Sequence, residues 1–144
     1  MPVRFFSESI HFNLKNKRAV TAWIKQVIEC NDRKPGHINI IFCDDNYLLQ
    51  INQKFLRHNT FTDVVTFQYH EQKSEPVTGD IFISIDRVRE NAEELQKVFD
   101  NELHRVIIHG ILHLCDYKDK SPAQKKKMKE AEDRYLNMLY ASLQ

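Results

Sequence analysis

Two histidines four residues apart open the segment His109-Gly110-Ile111-Leu112-His113-Leu114-Cys115-Asp116-Tyr117-Lys118-Asp119. On a helix, residues i and i+4 share one face about 6 Å apart along the axis, so two imidazoles at this spacing can converge on one divalent ion. Val106, Ile107, Ile108, Ile111, Leu112 and Leu114 surround the pair. The imidazoles therefore lie on or beside a buried helix, where each needs a polar partner and a metal ion is one. Two carboxylates follow, Asp116 next to the expected helix end and Asp119 just beyond it. Either can supply a third ligand. Two histidines and one carboxylate leave coordination positions open, as catalytic rather than structural sites do. Gly110 stands where a metalloprotease helix carries its glutamate, so that built-in general base is missing. The chemistry left is that of a water brought toward ionisation by the ion, or of a phosphate oxygen neutralised by it.

The elements that must position this segment follow from periodicity and punctuation. Val3 to Phe6 reads as a strand, and Lys15 to Cys30 as an amphipathic helix with Ala19, Val20, Trp23, Ile24, Val27 and Ile28 on one face. His37 to Cys43 is β-branched enough for a second strand, and Asp44 or Asp45 caps a short helix running through Phe55. Val64 to Tyr69 is a third strand. A loop with Ser74, Pro76 and Gly79 leads into a fourth, Asp80 to Ile85. Helical spacing then covers Asp86 to Phe99 and Asn101 to about Cys115. The last helix starts with Ser121 as N-cap, Pro122 as first helical residue and Gln124 as capping-box partner. This order predicts an α+β fold: one domain over residues 1–144, with a small mixed sheet of about four strands and four to five helices. The metal site falls at the C-terminal end of a central helix.

Composition narrows the function classes. Lys+Arg number 21 against 20 Asp+Glu, a formal net charge of +1, so nucleic-acid binding would need a local basic patch. Cys30, Cys43 and Cys115 are odd in number and lack a CxxC pair, which argues against a disulfide framework or a cysteine zinc site and fits a reducing cytoplasm. No apolar run suggests a signal peptide or membrane span, so no membrane partner is expected.

The segment resembles the signature of the YbeY-type endoribonucleases, bacterial rRNA maturation factors, which runs H-G-x-L-H-L-x-G-Y-D-H with all three histidines binding zinc. The match holds at His109, Gly110, Leu112, His113, Leu114 and Tyr117. Three further patches match in order. They are Asn52 and Arg57 followed by Thr62-Asp63-Val64-Val65-Thr66-Phe67, then Gly79-Asp80-Ile81-Phe82-Ile83-Ser84, then Met128 and Glu132. The likeness spans roughly residues 36–140. It departs at three positions: Asp119 replaces the third histidine, Lys118 the aspartate, and Asp116 the loop glycine. Asp119 keeps an anionic oxygen that zinc accepts and that magnesium or manganese favours. Asp116 takes over a place suited to a left-handed residue, which Asp tolerates better than most.

The resemblance implies a site in which His109, His113 and Asp119 hold one zinc ion. It makes Arg57 a catalytic clamp on the phosphate, where guanidinium pairs bidentately with oxygens. Without it, Arg57 reads as a solvated charge. Lys54, Arg57 and His58 form a basic cluster for RNA beside the cleft, whereas Lys125, Lys126, Lys127 and Lys129 read as a solvated helix face. Asp63 and Asp80 are candidates to orient the ligands from behind, with capping or turn roles as the alternative. The function implied is a metal-dependent, single-strand-specific endoribonuclease of the cytoplasm, acting in maturation of the 3′ end of 16S rRNA and in ribosome quality control. Its partners would be rRNA, the small ribosomal subunit, a small-subunit ribosomal protein and a ribosome-associated GTPase. The competing readings are a non-catalytic assembly factor with a structural metal, and a small metallopeptidase.

Overall fold

The computed structural model describes residues 3–56 and 62–144. In chain order these form β1 (Val3–Glu8), α1 (Lys17–Cys30), β2 (Pro35–Cys43), α2 (Asp45–Leu56), β3 (Val64–Gln68), β4 (Val77–Ser84), α3 (Ile85–Glu94), α4 (Phe99–Leu114) and α5 (Pro122–Ser142). The strands make one mixed sheet in the order β1-β2-β4-β3. β1 and β4 run parallel to β2, while β3 pairs antiparallel with β4 and forms an edge.

Side-chain alternation divides the sheet into two faces. Along β4, Val77, Gly79, Ile81 and Ile83 face α4, and Thr78, Asp80 and Phe82 face the other way. The first face carries the main core. Val20, Trp23, Ile24, Val27 and Ile28 of α1 pack there with Ile107, Ile108, Ile111 and Leu112 of α4. Each such side chain contributes about 1.5–3 kcal/mol by leaving water. Trp23 donates its Nε1–H to the Tyr135 carbonyl at 2.7 Å, tying α1 to α5. On the second face α2 makes a smaller cluster of Cys43, Leu48 and Val65. Helix α4 touches β3, β4, α1, α3 and α5, so it is central.

Local signals fix the helix starts. Asp44 Oδ1 accepts from the Tyr47 amide at 2.8 Å at the head of α2. Ser121 Oγ accepts from the Gln124 amide at 3.1 Å, and Gln124 Oε1 accepts from the Ser121 amide at 3.0 Å, closing the capping box of α5.

Three boundaries correct the sequence reading. Gly79 is inside β4 rather than in the preceding loop, paired with Ile38 on one side and Gln68 on the other. A Cβ there would collide with the Phe67 carbonyl and come within 2.9 Å of Leu114 Cδ2, so close approach selects glycine. Ile85 opens α3 instead of ending the strand, because Ser84 Oγ caps the Arg87 amide at 3.2 Å. Helix α3 stops at Glu94, and a turn with Gln96 at φ 54° lets Phe99 begin α4.

Candidate metal centre

Helix α4 delivers both histidines to the mouth of a cleft, and the way it ends delivers the carboxylate. The Tyr117 amide donates to the Leu112 carbonyl at 3.0 Å and the Asp116 amide to the His113 carbonyl at 3.0 Å. This is the Schellman pattern, with Asp116 left-handed at φ 71°. Arg33 Nη1 holds the Asp116 carboxylate at 3.1 Å, so Asp116 serves the turn and does not face the histidines. The reversal brings Asp119 back over them.

Asp119 Oδ2 lies 3.4 Å from His109 Nε2 and 3.3 Å from His113 Nε2, and the two Nε2 atoms are 2.9 Å apart. These ligand atoms all lie within 4.8 Å of one another, a group that could hold a metal ion. The far side of each ring is anchored. His113 donates its Nδ1–H to the Tyr117 carbonyl at 3.0 Å, and His109 Nδ1 lies 2.6 Å from Glu132 Oε2. A carbonyl can only accept, so the His113 proton sits on Nδ1 and its Nε2 lone pair points inward. The donor set therefore fits a divalent ion: two imidazole nitrogens and a carboxylate oxygen converge, each ring oriented from behind.

Glu132 is the residue whose role sequence reasoning missed. It projects from α5, is buried, and accepts from Arg105 Nη1 at 2.8 Å on its other oxygen. The match of Met128 and Glu132 to the family's last helix was the available signal. Burial by itself would lower the His109 pKa, but the hydrogen bond and charge of Glu132, with smaller effects of Asp119 and Asp63, outweigh it and raise the pKa. The imidazole stands in a field that welcomes positive charge.

A cleft of about 450 Å³ opens in front of the three residues, walled by Asn52 and Leu56 of α2 and by Thr62 to Thr66 leading into β3. Asp63 is in this wall. Its carboxylate accepts from Asn91 Nδ2 at 3.4 Å, and burial, partly offset by the charge of His109, raises its pKa. Asp80 is not brought to the site. It lies on the opposite face of the sheet, accepting from Asn39 Nδ2 at 3.0 Å and from Tyr69 Oη at 2.9 Å. Strand parity, which turns alternate residues to opposite faces, excludes it from orienting the ligands. Lys54 is exposed, with its ammonium 5.4 Å from the centroid of the Phe55 ring, and does not line the cleft. Arg57 and His58 lie outside the described residues.

Comparison with known proteins defines the class. The family model described as "Endoribonuclease YbeY" matches residues 6–140. A protein named endoribonuclease YbeY from Flavobacterium psychrophilum is 46% identical over 94% of this chain and 95% of its own length. The protein of that name from Parabacteroides distasonis is 44% identical over 96% of each chain. Among solved structures, the solution structure of a Thermotoga maritima protein superposes with a TM-score of 0.69 at 28% identity, over 98% of this chain and 91% of the other. The chain belongs to the YbeY endoribonuclease family.

Proposed function

We propose that this chain is a metal-dependent endoribonuclease, in one domain, that cleaves single-stranded RNA at the His109–His113–Asp119 cleft. The observation that carries the reading is the convergence of both Nε2 atoms on the Asp119 carboxylate, with both Nδ1 atoms tied from behind. Family membership supplies the substrate class, since the relatives are named endoribonucleases.

In this reading His109 and His113 hold zinc through Nε2, and Asp119 completes the protein's share of the ligands. A bound zinc ion supplies Lewis acidity to a phosphodiester oxygen and acidifies water at the site. Glu132 fixes the His109 ring and strengthens its donor nitrogen, while Arg105 holds Glu132 in place. Asp63 adds negative charge beside His109 from the cleft wall. Arg57 is assigned the cationic clamp on the phosphate, with Lys54 and His58 as further RNA contacts. The reading extends to maturation of the 3′ end of 16S rRNA and ribosome quality control in the cytoplasm. It includes the small subunit, one of its proteins and a ribosome-associated GTPase as partners. No helix among the described residues is long and apolar enough to cross a membrane.

The test combines elemental analysis with cleavage of matched single-stranded and duplex RNA. Wild type should carry one equivalent of metal and cut only the single strand, and Asp119→Ala should lose both properties. Equal metal in the two proteins would remove Asp119 from the ligand set. Undiminished cleavage by a contaminant-free His113→Ala sample would refute the enzyme reading. Product ends, 5′-phosphate or 2′,3′-cyclic phosphate, separate attack by water from attack by the RNA's own 2′-hydroxyl.

A further inference from the structure

The arginines inside the fold are paired: Arg33 with Asp116, Arg87 with Asp45, Arg105 with Glu132. At the β1 edge the pattern changes. Arg4, Lys17, Arg18 and Lys25 line one groove of about 750 Å³ between β1 and α1, and no acidic residue lines it with them. Among the described residues, none of the four has an ion-pair or hydrogen-bond partner. Lys17, Arg18, Thr21 and Lys25 share one face of α1, so their charges reinforce one another rather than fan out. The first turn of α1 holds no acidic residue, so the helix end adds to the same positive field. In a protein of net charge +1, four unpaired cations around one groove are a local concentration, not a share of a basic surface.

The groove also offers an aromatic surface. Phe6 lines it from the outer edge of the sheet, where it alternates with the core-facing Val3 and Phe5 and so turns away from α1, and it is 45% exposed. A cationic track beside an exposed ring is how proteins hold single-stranded nucleic acid, by phosphate neutralisation and base stacking. An acidic peptide would satisfy the charges but gives the ring no comparable role.

We propose that the β1–α1 groove is a second RNA surface, which binds the phosphate backbone of single-stranded RNA through Arg4, Lys17, Arg18 and Lys25 and stacks a base on Phe6. It rests on the RNA reading above and adds to it a surface at the far edge of the sheet from the cleft, since β1 and β3 are opposite edges. RNA engaging both surfaces is held across the sheet, while the groove alone cuts nothing.

The experiment is fluorescence anisotropy with a labelled 20-nucleotide single-stranded RNA and a DNA of the same sequence, using the metal-loaded full chain over a range of salt. The triple variant Lys17→Glu/Arg18→Glu/Lys25→Glu should bind both probes at least about tenfold more weakly. Its log–log salt slope should flatten by about 2, near 0.7 for each phosphate no longer neutralised. The neutral variant Arg18→Gln/Lys25→Gln should move both quantities less and in the same direction, and it carries the test if the triple variant does not fold. Phe6→Ala should weaken binding about fivefold with the salt slope unchanged, as loss of a stacked base does. Unchanged affinity and slope in the charge variants overturns the proposal. So does a poly-glutamate peptide that binds the groove in the presence of saturating RNA without displacing it. The uncut DNA probe keeps the two claims apart. Weakened binding by the charge variants without any RNA cleavage by wild type sustains the groove and sinks the nuclease, and unaltered binding with cleavage does the reverse.

Discussion

His104 and His109 stand on the same helix, less than two turns apart, in opposite electrostatic conditions. His104 is buried against the rings of Trp23 and Tyr140, and its Nδ1 has no hydrogen-bond partner among the described residues. Burial, only partly offset by Asp100, lowers its pKa. His109 is also desolvated, yet Glu132 and Asp119 reverse the outcome. The difference comes from α5, which runs antiparallel to α4 and presents Tyr140 at one level and Glu132 at the other. The carboxylate that α5 brings behind the ring is what separates His109 from His104.

The largest test of that contrast is substitution on each side of it. His113→Ala should abolish metal binding and lower RNA cleavage by more than about a hundredfold, beyond the loss typical of an orienting residue. His104→Phe should retain a full equivalent of metal and near wild-type cleavage. Loss of metal from the His104 variant would break the comparison, since the helix end would then depend on the core below it. Glu132→Gln comes next. It keeps the shape and a hydrogen bond but removes the charge behind His109, and metal affinity should fall about 10–100-fold in a competition with a chromophoric chelator.

The third effect is on stability and concerns the turn. Asp116→Ala should cost about 2–3 kcal/mol in denaturant unfolding, because Arg33 is left as a buried guanidinium without its partner. The left-handed backbone at φ 71° also suits Ala poorly. One equivalent of metal should persist, which separates the residue that shapes the turn from the residue that faces the ion.

These roles differ in how far they could be read from sequence. The i,i+4 histidines, the Ser121 capping box and the buried face of α1 rest on spacing within one element, and each is where the pattern puts it. Glu132 and Arg33 escaped because their partners come from other elements, across an α4–α5 contact and a loop packed behind the turn. Gly79 read as punctuation beside Pro76, but its cause is the close approach of the Phe67 carbonyl from β3 and of Leu114 from α4. Asp80 fell to parity: one step along β4 separates it from Ile81, which packs on Gly110 under the histidines. Its role needed the sheet's orientation, which no local signal encodes.

The smallest effect gives the comparison its sign. The folded-state pKa of His104 lies below the ordinary value of 6.5, so between the two the unfolded chain takes up a proton that the folded chain does not. His104 therefore makes stability rise with pH in that window, and acidification removes stability, with a slope of at most about 1.4 kcal/mol per pH unit for one proton. His109 in the metal-free chain has the opposite sign. Its folded pKa is raised, so its stabilising share is complete below 6.5 and is lost as pH rises through the folded value. Unfolding curves of the metal-free chain between about pH 5 and 8, the range in which histidine titrates, should resolve both. His104→Phe should remove the acid-side loss, and His109→Gln should remove the decline on the alkaline side. If both variants changed the same limb, the two histidines would share one environment, and α5 would not be the element that divides them.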